Sequence, residues 1–272
     1  MNISIEPRRT AWDLNFNLLR LPVRIHPLFW LMSLMLAYSS MVPFTSVMIV
    51  VAVVTVSILV HEYGHALSHI RFGDRHPRVV LHVMGGLCIG SGEVELVRRQ
   101  KIIMLLWGPG AGFIFGLIAY IVGAIVFGPR FPFESFAVSG WRYYSLVALD
   151  ALVWVNLVWG LMNLLPVFPL DGGQILREWI GWKKPELGTR APFTISFYTA
   201  IAAAVAGIGL GAYWYSSSKD GRDFFLFFLF AALAFSNWHL RKQIDQFGGF
   251  EGGHDFASRR EPWEQDADWW KR

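Results

Sequence analysis

Long uncharged apolar segments alternate with short basic connections along most of this sequence. The first of them, Ile25–Val60, contains no Asp, Glu, Lys or Arg and is interrupted by Pro43. Because a helix that crosses a membrane needs about 20 mostly apolar residues, we interpret this segment as two helices joined by a turn. Four further apolar segments follow it. The pattern predicts about six membrane-spanning helices, at residues 27–42, 45–70, 102–128, 144–169, 191–216 and 224–240.

The composition of the 272 residues agrees with this interpretation. Hydrophobic residues make up 54% and charged residues 16%, against roughly 45–50% and about 25% in soluble globular domains. The charged side chains are too few to cover a soluble enzyme, and the apolar ones are too many for a disordered chain. The predicted fold class is therefore an all-α polytopic membrane protein. The single cysteine, Cys88, excludes an intrachain disulfide.

The positive charges of the chain are distributed unequally between the two sides of the predicted membrane domain. The net charge is +4, with 24 Lys and Arg residues. If six helices cross the membrane, alternate connections hold 20 of these residues on one side and 4 on the other. Lys and Arg accumulate on the cytoplasmic side of membrane proteins. We therefore predict a multi-pass protein of the cell (inner) membrane with both termini in the cytoplasm, and nucleic acid is excluded as a partner.

The end of the sequence differs from the rest. Residues 241–272 are rich in Gly and in charges of both signs. A segment with so little apolar content does not fold alone. We predict a flexible cytoplasmic tail there, after a membrane domain at residues 1–240.

The second predicted span ends in ionisable residues, with the order His61-Glu-Tyr-Gly-His65. Residues at positions i and i+4 lie on one face of a helix, so both imidazoles can reach one metal ion. The carboxylate of Glu62, between them, can reach a water on that metal, as in the H-E-x-x-H pattern of zinc hydrolases. Ionisable residues within a span are costly and mark functional sites. The alternative is a polar helix end among the lipid headgroups.

A catalytic zinc ion usually has three protein ligands and a water, so a third ligand is expected. His69 continues the same helical stripe but lies roughly 12 Å along the axis from His61, too far to share an ion with it. Glu93 and Glu95, in the polar loop that follows, are weaker candidates.

Asp171 is the strongest candidate for the third ligand. It follows the fourth predicted span, which runs in the same direction as the second, so both ends reach the cytoplasmic side. Pro166 and Pro169 interrupt the helix just before it, and irregular backbone at membrane depth is tolerated where it lines a protein cavity. The alternative is that Asp171 caps a short helix at residues 174–182.

These two motifs together resemble the site-2 protease family of intramembrane zinc metalloproteases. The second motif reads Asn163-Leu-Leu-Pro-Val-Phe-Pro-Leu-Asp171-Gly-Gly, and the resemblance covers most of residues 25–185. It implies one zinc ion per chain, held by His61, His65 and Asp171, with Glu62 as catalytic acid and base. It also implies that Asn163 is a polar helper near the scissile carbonyl, and that residues 75–96 form a small membrane-associated β-hairpin beside the site.

The hairpin also has a weaker signal in the residues themselves. Residues 79–84 have the composition of a strand, and Gly85 and Gly86 can turn it. We predict that these glycines contribute to substrate binding, because an edge strand there can hold a substrate extended by β-addition.

One position departs from the family pattern. Gly112 stands near the place where family members often carry Asn in the third span. Together with Gly108 and Gly116 it forms a four-residue repeat that favours close helix packing.

The function predicted is an intramembrane zinc metalloprotease that hydrolyses peptide bonds in or near transmembrane segments. Its partners would be a transmembrane protein substrate and the lipid bilayer. A first alternative is a catalytically silent membrane adaptor of the same fold, although an adaptor has no need of Glu62. A second is a zinc or proton transporter, but the last two predicted spans are nearly free of the polar residues that line ion pathways.

Overall fold

The computed structural model describes residues 6–37, 43–92, 94–129, 131–132, 139–184, 190–218 and 225–246. Four predicted features fall partly or wholly outside these ranges. They are the end of the first span at residues 38–42, the weak ligand candidate Glu93, the first residue of the last span at position 224, and the tail from residue 247 onwards.

Most of the described chain is helical. The helices are α1 Pro27–Ala37, α2 Phe44–Arg71, α3 Arg98–Phe127, α4 Trp141–Asn163, α5 Asp171–Lys183, α6 Ala191–Ser218 and α7 Phe225–Gln246. Within the described residues, four helices are long and apolar enough to cross a membrane: α2, α3, α4 and residues Ala191–Ala212 of α6. Helix α1 is apolar but has 11 residues, so the structure supports four spans and the predicted number of about six is not confirmed.

Several helix ends differ from the sequence-based boundaries, and the ends of α4 and α7 differ most. Helix α4 ends at Asn163 instead of residue 169, because Pro166 lacks the amide hydrogen and the space that a continuing helix needs. Helix α7 continues to Gln246, six residues into the predicted tail. Its last turns have contacts of their own, since Arg241 lies 5.6 Å above the ring of Phe197 and Asp245 pairs with Arg190 at 3.1 Å.

The predicted hairpin is part of a larger sheet. The strands are β1 Leu14–Leu18, β2 Leu21–Ile25, β3 Arg78–His82 and β4 Gly85–Ile89, in that order across the sheet. Strands β1–β2 and β3–β4 pair antiparallel, whereas β2 and β3 pair parallel. The hairpin β3–β4 agrees with the prediction, but the predicted turn at Gly85 and Gly86 is wrong, because Val83 and Met84 form the turn and the two glycines pair with β3 as the first residues of β4. The all-α description was also incomplete, because β1 and β2 were not predicted. They are joined by Leu19 and Arg20 at φ of 46° and 69°, residue types that rarely mark such a turn.

The chain divides into two compact units. The first contains the sheet, α1, α2, α4 and α3 from Ile103 onwards, and in it α2 packs against α1, α4, β3 and β4. Its core contains fully buried side chains of α1, α2 and β3, among them Phe29, Ile58, Val79 and Leu81.

A buried amide joins three helices of this first unit. Asn156 of α4 donates a hydrogen bond to Ser57 Oγ of α2 at 2.9 Å. On α3, a Cβ added at Gly112 or Gly116 would lie 3.5 Å or 3.1 Å from the Asn156 side chain. The glycine repeat of α3 therefore packs closely, as its spacing predicted. The side chain of Asn156 on α4 lies beside Gly112, the position that departs from the family pattern.

The second unit contains residues 96–102, α5, α6 and α7. The irregular segment before α5 is held at Phe168, whose N–H donates to Ser196 Oγ at 3.0 Å and whose carbonyl accepts from Asn237 Nδ2 at 2.6 Å. Both partners are fully buried. These bonds fix the backbone that leads into Asp171.

Candidate metal centre

His61 and His65 lie one turn apart on α2 and converge. Their Nε2 atoms are 3.2 Å apart, and each residue is 4% exposed. Two nitrogens that bind one tetrahedral zinc ion at 2.0–2.1 Å are separated by about 3.3 Å. The pair therefore has the spacing that a shared zinc ion requires.

The orientation of the His65 ring is fixed by α3. Its Nδ1 lies 2.8 Å from the carbonyl oxygen of Met104. Because a carbonyl only accepts, Nδ1 carries the proton and Nε2 keeps a lone pair for a metal, the usual arrangement for a metal-binding histidine. A Cβ added at Gly108 would lie 2.2 Å from His65 Nε2. Only glycine at that position leaves room for the ring.

Asp171 is the first residue of α5 and is 7% exposed. The glycines that follow it allow a tight entry into the helix. A Cβ at Gly172 would lie 2.2 Å from the carbonyl oxygen of Leu164, and one at Gly173 would lie 2.3 Å from the amide nitrogen of Phe168. The capping position is Leu170, with no side-chain capping bond. The alternative role of Asp171 as a helix cap is therefore wrong, and the helix begins three residues earlier than that alternative assumed.

The three predicted ligands form one buried group. His61, His65 and Asp171 each offer a ligand atom, and these atoms all lie within 4.8 Å of one another. Two imidazoles and one carboxylate, with a fourth position for water, are a donor set of catalytic zinc sites. The group fits a single zinc ion.

Glu62 lies on the same turn of α2 and is 4% exposed. The neighbouring backbone is that of β4, because a Cβ added at Gly86 would lie 2.3 Å from both Cγ and Oε1 of Glu62. Gly85, the first residue of β4, has a φ of +111°, and a Cβ there would lie 2.4 Å from Cζ2 of Trp159 in α4. The two predicted glycines therefore bring a strand backbone against the carboxylate.

One face of β4 consists of small residues. Gly86 and Cys88 lie on it, and Gly90 continues the alternation just after the strand. A Cβ at Gly90 would meet Asp74 Oδ2 at 2.6 Å and His69 Cε1 at 2.9 Å. Burial, together with the charges of Glu62 and Asp74, raises the pKa of the Cys88 thiol well above its ordinary value, so the thiol stays neutral. This small, uncharged face lets the strand lie directly along α2.

The remaining sequence candidates have other contacts. Asn163 ends α4, and its Nδ2 donates back to the carbonyl of Trp159 at 2.9 Å. An amide has a second N–H, so one donor is left for a ligand. His69 lies with Nδ1 3.3 Å from Asp74 Oδ2, which agrees with its exclusion as a ligand.

Three residues around the site were missed by sequence reasoning. Met104 acts through its backbone, Trp159 through the space that Gly85 leaves, and Asp74 through contacts with the backbone just before β3 and just after β4. Only Asp74 carried a signal, as a charged residue directly after a long apolar helix.

Comparison with known proteins defines the class to which this fold and site belong. The sequence profile of peptidase family M50 matches residues 49–207, a range that contains His61, His65, Asn163 and Asp171. The chain belongs to this family.

Individual relatives are similar to part of this chain. "Zinc metalloprotease MJ0392" of Methanocaldococcus jannaschii is 27% identical over 165 residues, which are 60% of this chain and 43% of that protein. "Putative zinc metalloprotease Rip3" of Mycobacterium tuberculosis is 30% identical over 135 residues, 50% of this chain and 31% of that protein. The chain thus spans less than half the length of these relatives.

A solved structure shares the fold. The site-2 protease from Methanocaldococcus jannaschii matches with a TM-score of 0.54 at 21% identity, over 85% of this chain and 95% of that one. At this identity the match shows that the chain shares the fold of that protein.

Proposed function

We propose that this protein is an intramembrane zinc metalloprotease that cleaves peptide bonds in or near transmembrane segments of other membrane proteins. The observation that carries the proposal is the buried His61–His65–Asp171 group with Glu62 on the same helical turn. It is supported by membership of peptidase family M50 and by four helices long enough to cross a membrane.

The proposed chemistry assigns a role to each side chain. A bound zinc ion lowers the pKa of a coordinated water to about 7 and polarises a carbonyl. His61, His65 and Asp171 would hold it. Glu62 would accept a proton from the attacking water and later donate it to the leaving amine. The second N–H of the Asn163 amide would donate to the carbonyl oxygen as negative charge develops on it.

The proposed place for the scissile segment is the edge of β4. A helical substrate has its carbonyl groups engaged in its own hydrogen bonds, so it must unwind before attack. Strand β4 is the terminal strand of the described sheet, and its edge can pair with an extended segment. Because Gly86 brings β4 against Glu62, a segment paired there lies beside the base.

The proposed topology follows from charge. Six crossings, with α1 and α7 as the first and last, put 20 of the 24 Lys and Arg residues in the cytoplasm together with both termini. A cysteine introduced at position 98, in a Cys88→Ala background, should then resist an impermeant thiol reagent added outside the cell. Labelling from outside would contradict the six-span topology.

The decisive experiment measures cleavage of one transmembrane reporter and the zinc content of each variant. Glu62→Gln preserves shape but removes the base, so cleavage should fall by at least about 100-fold while zinc is retained. An adaptor would show no cleavage by the parent protein. A transporter would move ions in vesicles whether or not Glu62 is changed, and parental-level cleavage by Glu62→Gln would refute the mechanism.

A further inference from the structure

A second buried acid lies outside the metal group, in the short connection between α2 and β3. Asp74 is 2% exposed. Its Oδ2 accepts a hydrogen bond from the backbone N–H of Ser91 at 2.9 Å, and its Oδ1 accepts one from that of His76 at 3.2 Å. Nδ1 of His69 lies 3.3 Å from Oδ2. We call these four residues the Asp74 cluster.

The carboxyl of Asp74 is ionised at neutral pH. Burial acts to raise its pKa, but the hydrogen bonds from Ser91 and His76 and the neighbouring His69 outweigh burial, so the pKa lies below its ordinary value. Hydrogen bonds to an ionised acceptor are roughly twice as strong as neutral ones. The cluster is therefore a strong contact for a loop residue.

The cluster joins three elements that are separate in sequence. His69 belongs to the last turns of α2, His76 lies just before β3, and Ser91 lies just after β4. Gly90 completes the contact, because any larger residue would strike Asp74 and His69. One carboxylate thus bonds the backbone at both ends of the hairpin's base and lies against the last turns of the helix that carries His61, Glu62 and His65.

The hairpin is held at its tip as well. Trp159 of α4 fills the space beside Gly85, so β4 is held by α4 at its tip and by the Asp74 cluster at its base. Gly86, next to the tip, lies against Glu62. A loss of the base contact would let the strand tilt away from α2, and its edge would move relative to the carboxylate.

We propose that Asp74 is a positioning residue that holds β4 against α2, so that the edge of β4 presents an extended substrate to Glu62. This role rests on the proposed protease function. Asp74 itself touches neither the metal group nor the substrate. It sets the place where a substrate strand is bound, and its loss affects binding more than chemistry.

The test compares Asp74→Ala and Asp74→Asn with the parent in full-length protein, using the same transmembrane reporter. Because the ionised acceptor is lost, Asp74→Ala should raise KM about 10-fold or more, with kcat and zinc content within about 2-fold. Asp74→Asn should raise KM less, because its carbonyl keeps one of the two N–H bonds. Asp13→Asn is the matched control, since Asp13 is a buried acid that pairs with Arg24 at the far side of the same sheet, and it should leave KM unchanged.

A second readout does not need catalysis. Amide hydrogen exchange of residues 85–91 should be faster in Asp74→Ala than in the parent, while exchange in α4 is unchanged. Gly90→Ala, which inserts a methyl group 2.6 Å from Asp74 Oδ2, should reproduce both effects even if Asp74→Ala does not fold.

The outcomes separate this role from its alternatives. A fall in kcat that matches a loss of zinc at constant KM would indicate a merely structural residue and overturn the proposal. Unchanged KM with unchanged exchange would overturn it as well. If the parent cleaves no reporter, the proposed function fails, and the exchange measurement alone then decides whether Asp74 holds β4.

Discussion

The metal side and the hairpin side of the candidate site are built on different principles. On the metal side, His61 and His65 are side chains on one turn of one helix, and the ideal helical repeat sets their 3.2 Å nitrogen separation. On the hairpin side, Gly86 and Gly90 act by lacking side chains, so that a strand remote in sequence can touch Glu62 and Asp74. The chemistry of the metal side depends on side chains that are present. The close approach of the strand on the hairpin side depends on side chains that are absent.

Substitutions on the two sides should have different effects. A lost ligand removes a charge–metal interaction directly, whereas a methyl group added to a glycine displaces a neighbour by one or two ångströms. The metal side should therefore respond in zinc affinity, and the hairpin side in the rate and affinity of cleavage at constant zinc. Variants on each side test whether the two responses separate.

The largest effect is expected from the double variant His61→Ala, His65→Ala. It removes two of the three proposed ligands, so the zinc content should fall from about one ion per chain to near zero. Metal analysis of purified protein measures this directly. His69→Ala, on the same stripe of α2 but paired with Asp74, is the control and should keep its zinc. A parental zinc content in the double variant would contradict the assignment of His61 and His65 as metal ligands.

The second-largest effect is expected from Asp171→Ala. It removes the carboxylate from the group but leaves the histidine pair, so zinc remains bound with lower affinity. Loss of a partner that only supports a ligand costs about 10–100-fold in metal affinity, and loss of a ligand itself should exceed that. Competition with a chelator of known affinity gives the number. Parental affinity would leave Asp171 as a structural residue at the start of α5.

Gly86→Ala addresses the hairpin side. Its Cβ would lie 2.3 Å from Glu62 Oε1, so the base or the strand must move. A displacement of about 1 Å costs as much as 100-fold in rate, and zinc content should not change. Cleavage assays with parallel metal analysis measure both quantities. Zinc loss equal to the loss of activity would mean that the two sides do not separate.

Gly108→Ala and Gly110→Ala form a matched pair on α3. The first places a methyl group 2.2 Å from His65 Nε2, whereas the second meets no atom within 4 Å. Gly108→Ala should weaken zinc binding by about 10–100-fold, as other losses of ligand support do. Gly110→Ala should bind zinc as the parent does and gain slightly in helix stability. Equal zinc affinity in the two variants would contradict the packing of α3 on His65.

The metal side could be predicted from sequence because its information is local. The spacing of His61 and His65 and the Pro-interrupted run before Asp171 are visible within a few residues. The partners of these residues are not: Met104 binds His65 through a backbone carbonyl, which any residue has. The strand pair β1–β2 was missed because its turn, Leu19-Arg20, lacks the glycine or asparagine that usually marks positive φ. The topology, the tail and the roles of all the predicted site residues stay predictions, including those of Glu62, of the three metal ligands, of Asn163 and of the hairpin glycines.

The smallest effect is expected from Tyr63→Phe, which removes a contact with the far edge of the sheet. The Tyr63 hydroxyl donates to the carbonyl of Leu18 at the end of β1, and thereby joins the first hairpin to the helix of the metal group. Removing one hydroxyl loses one hydrogen bond, about 0.5–1.5 kcal/mol of stability, or a decrease of about 2–4 °C in Tm for each kcal/mol. Zinc affinity should stay at the parental value, because the contact faces the far strands of the sheet and not the ligands. A thermal scan with and without chelator separates the two quantities, and a Tm difference that disappeared in the chelated proteins would place the Tyr63 contact on the metal side instead.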